Sequence, residues 1–527
     1  MKLNKTLSKV LIVISLFVGS CSQGLEDDYL NPNGLTAPSI EGFYAETQQS
    51  LGTFRYTYSE MTSAFLTLGP MLGTGGYSND GVTNTFSWGY DPFENSFSRL
   101  RSFAEIERLY QALSEGEKTN YKVYKMTADV MKAYIFYQLT DIFNSIPYFD
   151  ALKGKSDHFF PKYDKQRDIY HDILTNLKST SGELSTFTLG SSVPESAFSI
   201  HDIMFKGDLT KWRVFINSLR LRLAIHLTNV EPELAKSTIM EVLTENVYAK
   251  DRASSILFTE LQQELAPEKI LIFKAIDEQK LYLLAPENMI KVMRKPGQSD
   301  DPRIKVIFQP DKYGGYSGIR TEGPYNQSYR DSIDTRVMSR TFPSYYNRTT
   351  FEQNYTMPYQ IITSPEMHLI LAEAAVRWPD LGLNASDEYV AAIKQSIDFY
   401  YEINAMNTRN YPSRIAGAQP AKPAQSQIDA FAEVKRNEFV AAAEQEKKGL
   451  IYDQKYVHFN ILKPYELWTE TRRLYKELGN RVMKKPSNRR FMERRPYPVS
   501  ESTNNHDNFA DVVNENNYTS PVWLTGR

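Results

Sequence analysis

Flat rings set beside amides and carboxylates are the side chains here with the clearest chemistry. Trp88, Tyr90 and Phe93 lie close in sequence to Asn84, Asp91 and Asn95. Rings of this kind stack on apolar faces while the amides and the carboxylate hold hydroxyl groups, which is how sugars and peptides are recognised. The same rings serve equally well in core packing, and that alternative stays open. Around them, Gly69, Gly73, Gly75, Gly76, Gly81 and Gly89 alternate with Asn and Asp, so residues 68–97 read as a long ordered loop. Long loops in compact domains are more often functional than accidental. A second turn-rich stretch, Tyr313-Gly314-Gly315-Tyr316-Ser317-Gly318, is followed by Tyr345 and Tyr346, whose rings read as exposed.

Catalytic chemistry is much less visible. Gly73-Thr74-Gly75-Gly76 approaches a phosphate-cradling pattern, but the third glycine is missing and no strand precedes it. Seven histidines are scattered without metal-ligand spacing, and no nucleophile elbow or P-loop is present. No metal and no cofactor is therefore expected. Glycoside hydrolysis needs only two carboxylates, and with 63 acidic residues a surface hydrolase stays open as a minor alternative.

One residue points to covalent modification. Lys2, Lys5 and Lys9 precede an apolar run from Val10 to Val18, too short to span a bilayer and built like a secretory signal. It ends in Gly19-Ser20-Cys21, with small residues before the only cysteine of the 527. This resembles the lipobox of bacterial lipoproteins, in which the thiol is acylated after cleavage. The expected organisation is a signal peptide over 1–20 and one mature domain over 21–527. A single cysteine excludes an internal disulfide. The acidic Glu26-Asp27-Asp28 that follows resembles the surface-export signal of Bacteroidetes lipoproteins, and serves equally as a solvated tether.

The elements that must carry these loops are helices. Val123, Met126, Val130, Ala133, Tyr134 and Tyr137 recur at spacings of three and four, giving one apolar stripe. Asn144 and Pro147 end that helix near Phe143, and Asp164 reads as the N-cap of a partner carrying Ile169, Tyr170, Ile173, Leu174 and Leu177. Neither stripe is buried alone, so pairing follows, as in helical repeats. Asp208 opens another helix with Trp212, Phe215, Ile216, Leu219 and Leu223 inward and Arg213, Arg220 and Arg222 elsewhere. Pro232 starts its partner. Ser364-Pro365-Glu366 reads as N-cap, first-turn proline and first-turn acid of the cleanest amphipathic helix, and Ser386-Asp387-Glu388 opens the helix after it. Glu366 and Glu373 share one face there and are expected to pair with arginines. A further pair is expected from Ile428 to Lys476. Helix pairs thus occupy about 40–250 and 364–476, around an irregular insertion at about 251–359.

Together these blocks resemble the SusD/RagB family of outer-membrane lipoproteins, and within it the SusD-like starch-binding group. The matching segments include Lys132-Ala133-Tyr134, Ile146-Pro147-Tyr148 and Pro161-Lys162-Tyr163-Asp164. Further along are Trp212 with Asn217-Ser218-Leu219-Arg220, Asp301-Pro302-Arg303, Ala372-Glu373-Ala374, Trp468 with Arg472-Arg473, and Tyr497-Pro498 with Asn505, Asn508 and Trp523. They run in order through nearly the whole mature chain. The resemblance implies a mainly α fold of tetratricopeptide-like helix pairs with a looped, irregular ligand face. It also implies a lipid-anchored, surface-exposed protein of the outer membrane that binds oligosaccharide, or peptide in the RagB branch, without cleaving it. The implied partner is a TonB-dependent transporter of the SusC type. Ligand-stacking rings would sit by position near Trp88 and Tyr90, with Asn84 and Asn95, and near Tyr313, Tyr316 and Tyr345. Asn144-Ser145 departs from the Gly-Asp common in the group, which leaves the turn intact but removes that aspartate. Lys+Arg 61 against Asp+Glu 63 offers no charge for nucleic acid. The basic run Arg481, Lys484, Lys485, Arg489, Arg490, Arg494 and Arg495 then reads as a solvated face or a contact with an acidic partner surface.

Overall fold

The computed structural model describes residues 38–53, 61, 64, 68–73, 91–258, 275–276, 283–319, 343–352, 354, 357–406, 419–482 and 492–527. Within them the longest helices are α1 (Ile40–Thr53), α2 (Pro92–Gln111), α3 (Glu115–Phe143), α4 (Gln166–Thr186), α5 (Val193–His201), α6 (Leu209–His226) and α7 (Pro232–Glu245). After a break come α8 (Glu287–Met293), α9 (Ser364–Arg377), α10 (Ala385–Ala405), α11 (Gln425–Ala441), α12 (Glu444–Phe459) and α13 (Pro464–Leu478). Two short antiparallel strands, β1 (Ile256–Phe258) and β2 (Tyr359–Ile362), pair across the break. Successive helices pack on one another, α2 on α3, α6 on α7, α9 on α10 and α12 on α13, around one continuous apolar core.

The stripes behave as their spacing requires, but their ends differ from expectation. α3 is capped by Ser114, nine residues before the apolar pattern starts at Val123. Glu117 there accepts from the Ser114 backbone N–H at 2.9 Å and Ser114 Oγ accepts from the Glu117 N–H, a reciprocal capping box. It ends at Asn144, whose φ of 73° takes the positive region that asparagine tolerates. Asp164 does not cap α4. Its carboxylate instead accepts from the N–H groups of Tyr148 and Phe149 at 3.0 and 2.9 Å, while its backbone bridges Ile146, so it fastens the α3–α4 loop and leaves the cap position to Lys165. Ser364 likewise lies inside α9, its hydroxyl donating to Gln395 Oε1, and Thr363 holds the cap position. Asp208 caps α6 as expected, accepting from the Lys211 N–H at 3.1 Å. The expected pair from Ile428 to Lys476 is three helices, since the two-residue link Ala442-Ala443 and the turn at Asn460, with its positive φ of 28°, each interrupt it.

The largest departure is electrostatic. Arg220 and Arg222 are buried, not solvated. Arg222 binds Glu366 through two nitrogens at 2.5 and 2.8 Å, and Lys463 reaches the same carboxylate at 2.7 Å. Seven residues along α9, Glu373 meets Arg473, Lys455 and Arg377. The arginine partners anticipated for this acidic pair are thus present. Arg494 and Arg495 are also buried, Arg494 pairing with Glu515 at 2.5 Å, so this part of the basic run is interior structure. Lys484, Lys485, Arg489 and Arg490 lie outside the described residues. Interior charge persists here where guanidiniums meet carboxylates with matched geometry, as Arg222 and Arg473 do.

His226 lies in the same network, 2.9 Å from Glu466 and 3.4 Å from Asp141. Burial pushes its pKa down, but the Glu466 and Asp141 carboxylates outweigh burial and raise it to about 9. A histidine raised in the folded state contributes stability that is complete below its unfolded value and lost as pH rises through its folded one. Lys463, lowered by burial to about 8, acts in the opposite direction above that value. The clean window is therefore about pH 6.5 to 8. There the stability difference between wild type and His226→Gln should shrink steadily as pH rises, as read by denaturant unfolding at each pH. A difference independent of pH would mean His226 is neutral in the fold.

Candidate functional site

Two loop roots meet beside α8. The short helical turn Gly69–Leu72 ends at Gly73, whose φ of 77° and approach to the Leu284 carbonyl leave no room for a side chain: a Cβ would lie 1.8 Å from that oxygen. The Gly73 carbonyl accepts from the Leu284 N–H at 3.0 Å. Next to it Ala285 and Ile319 exchange a backbone hydrogen bond, Ala285 bonds Ser344, and Ser344 bonds Ser317. The segments leading into 74–90 and 320–342 therefore leave from one place, around a small apolar cluster of Leu284, Ile319 and Tyr345.

The aromatic turn beyond that root is built by Asp311. Its carboxylate accepts from the N–H groups of Tyr313 and Gly315 at 2.9 and 3.0 Å and from Ser317 Oγ at 2.7 Å, while Gly314 supplies the positive φ the turn needs. Tyr313 is thereby held at the tip, 78% exposed, the most exposed large aromatic among the described residues. Tyr316 is half-buried, with the Arg294 guanidinium 6.0 Å from its ring centre. Tyr345 is half-buried on the root cluster, and Tyr346 is core, packed on Phe308 and Phe351.

Of the first aromatic stretch, Trp88, Tyr90 and Asn84 lie outside the described residues. Its end is not loop. Asp91 caps α2 by accepting from the Phe93 N–H at 2.7 Å, and burial pushes its carboxyl up to about 6. Phe93 is buried against Phe143 and Tyr497, and Asn95 stands half-buried in the first turn of α2. Thus the structure groups Tyr313, Tyr316 and Tyr345 on one loop assembly, gives Phe93 to the core and leaves Asn95 on a helix.

A feature the residue types did not announce is a groove of about 830 Å³ between α2, α3 and α4. Phe103, Phe136 and Tyr148 form its apolar part, and Lys122, Lys125, Asp129 and Lys132 run along its α3 side. Their spacing of three, four and three was the available signal, a charged stripe on the helix that carries the apolar one.

Among the described residues no three metal-type ligands converge. His458 is buried between the hydroxyls of Thr363 and Ser396, and burial together with Arg303 lowers its pKa to about 3, so it is a neutral packing group. What the exposed face offers is ring surface and hydrogen-bonding side chains on a rigid support.

Comparison with known proteins agrees with this. A SusD-like family, described as starch-binding associating with outer membrane, matches residues 31–498. No curated protein matches the chain. Among solved structures, a SusD homologue from Bacteroides fragilis is similar at 21% identity, covering 93% of this chain and 100% of that one with a TM-score of 0.70. A chitin-binding SusD homologue from Flavobacterium johnsoniae is 20% identical, with 92% and 98% covered and a TM-score of 0.66. A SusD/RagB family protein from Bacteroides thetaiotaomicron is 17% identical, with 93% and 99% covered and a TM-score of 0.70. With that match spanning most of its length, and a mainly α, tetratricopeptide-like fold shared with these structures, the chain belongs to the SusD-like family of outer-membrane-associated proteins.

Proposed function

We propose that this protein is a cell-surface lipoprotein that binds oligosaccharide and delivers it to a TonB-dependent outer-membrane transporter of the SusC type. The observation that carries the binding half is the rigid, exposed Tyr313 on its Asp311-built turn, beside the root from which the Trp88 loop departs. A stacking ring on a pre-ordered turn loses little freedom when a sugar lies on it. The family description and the chitin-binding neighbours support carbohydrate as the ligand class. Attachment through an acylated Cys21 supplies the membrane contact, since among the described residues no helix is long and apolar enough to cross a membrane. The role is capture and transfer, without cleavage of the glycan.

Calorimetric titration of the mature chain with maltohexaose and chitohexaose tests this reading. Tyr313→Ala should weaken binding about tenfold, or ~1.4 kcal/mol, while stability stays within about 0.5 kcal/mol. Trp88→Ala should behave in the same way. Equal affinity in both variants would move the site off these loops, and no binding by the wild type would remove the carbohydrate assignment. The delivery half is tested by pull-down of the full-length protein from its own outer membrane in mild detergent. Near-equal recovery of a large β-barrel transporter is expected, and recovery of the lipoprotein alone would refute the partnership.

A further inference from the structure

Behind the loop root lies a cavity of about 180 Å³ between α8 and α12. Met71, two residues before Gly73, forms one wall, and its carbonyl accepts from Tyr456 Oη at 2.6 Å. Tyr452 and Tyr456, one turn apart on α12, form another with rings nearly parallel, 16° apart at 6.2 Å. The Tyr452 hydroxyl is spent on Thr471 and the Val482 carbonyl, so these tyrosines offer the cavity their rings. Val292 of α8 lies on the opposite side.

The charges at this cavity are matched. Lys291 pairs with Glu287, Lys295 with Glu438, and Arg481 with both Glu446 and Asp453. Three cations with partners leave no surplus to draw an anion, and they repel a second cation. One acceptor faces the cavity. The Asp453 side chain is 8% exposed, and its one hydrogen bond among the described residues runs from Arg481 Nη2 to Oδ2 at 2.8 Å, which leaves Oδ1 open to the cavity. Burial pushes this carboxyl up to about 6 against the pull of Arg481, so at neutral pH it is ionised and can only accept. A carboxylate oxygen facing the cavity accepts from a donor that enters it, and a neutral hydroxyl is a donor that adds no charge. The space is ample, since cavities of about 150 Å³ admit a benzene-sized ring.

We propose that this cavity is a saccharide subsite for one neutral pyranose ring, with a ring hydroxyl donating to Asp453 Oδ1 and a C–H face against Tyr452 and Tyr456. It deepens the carbohydrate-binding reading and rests on it for the ligand class. The outer rings around Tyr313 would then hold the glycan chain while the cavity receives a single unit.

The test is titration of the mature chain with glucose and N-acetylglucosamine as single rings, and with maltohexaose and chitohexaose. Two variants alter the cavity in unrelated ways: Asp453→Asn removes the charged acceptor, and Val292→Phe fills the space. Both should weaken single-ring binding about tenfold or more, whereas Tyr313→Ala should weaken only the hexasaccharides. Melting curves identify a variant that fails to fold, and Val292→Phe carries the test if Asp453→Asn does. If the wild type binds saccharide and the folded cavity variants bind single rings equally well, the cavity holds only water and the subsite is overturned. If the wild type binds no saccharide, the carbohydrate reading falls and the subsite falls with it.

Discussion

Replacing Glu373 with glutamine should lower the free energy of unfolding by about 3–5 kcal/mol, the cost of breaking a buried ion pair from one side. Glu373 is fully buried and binds Arg473 through two contacts at 2.8 Å, Lys455 at 3.0 Å and Arg377 at 2.9 Å. Burial pushes its carboxyl up, yet Arg473, Lys455 and Arg377 hold it well below the ordinary carboxylate range. Glutamine keeps the shape, so the loss reports charge and not a cavity. Arg473 and Lys455 would be left to share Glu470. The contrasting substitution is Asp398→Asn, whose partner Lys422 lies 2.7 Å away with both side chains about half exposed. Water screens that pair, and its loss should cost no more than about 1 kcal/mol. Denaturant unfolding of the two variants beside wild type measures the difference. Equal stability of the two would show that the interior charges gain nothing from one another over solvent.

Cys21→Ala should abolish attachment to the outer membrane. One acyl chain binds a bilayer only marginally, whereas a multiply acylated cysteine anchors stably, at ~0.8 kcal/mol per buried methylene. Residue 21 is the chain's single cysteine, so no second thiol can substitute. Fractionation of cells expressing the variant should find it soluble or held with the inner membrane, with the folded domain unchanged by circular dichroism. Retention in the outer membrane at the wild-type level would refute lipid anchoring.

Both expectations mark how far local pattern reaches. Helical stripes were legible in α3, α4, α6 and α9 because apolar residues at spacings of three and four have one way to be buried together. The Ser114 box has its whole signature in Ser and Glu three residues apart, but the apolar pattern begins only at Val123 and does not point to it. Asp164 and Ser364 were misassigned for a different reason. Each side chain has a partner across a loop or from another element, Tyr148 and Phe149 in one case and Gln395 in the other, and these outbid the local cap. For the same reason Phe93, which reads as a loop ring beside Trp88 and Tyr90, belongs to the core, because Phe143 and Tyr497 reach it from elsewhere in the chain.

By itself the sequence determined the helical class, the expectation that arginines partner Glu366 and Glu373, and a family resemblance spanning most of the chain. All of these depend on residues within a few turns of one another or on a series of short blocks. Only the tertiary structure decided that Arg220, Arg222, Arg494 and Arg495 are interior, that the roots of two distant loops meet at Gly73 and Leu284, and that Asp453 lines a cavity between helices. Arg222 and Glu366 stand 144 residues apart. Helical periodicity sorts a charge outward by default, and a carboxylate arriving from another helix is what makes its burial affordable.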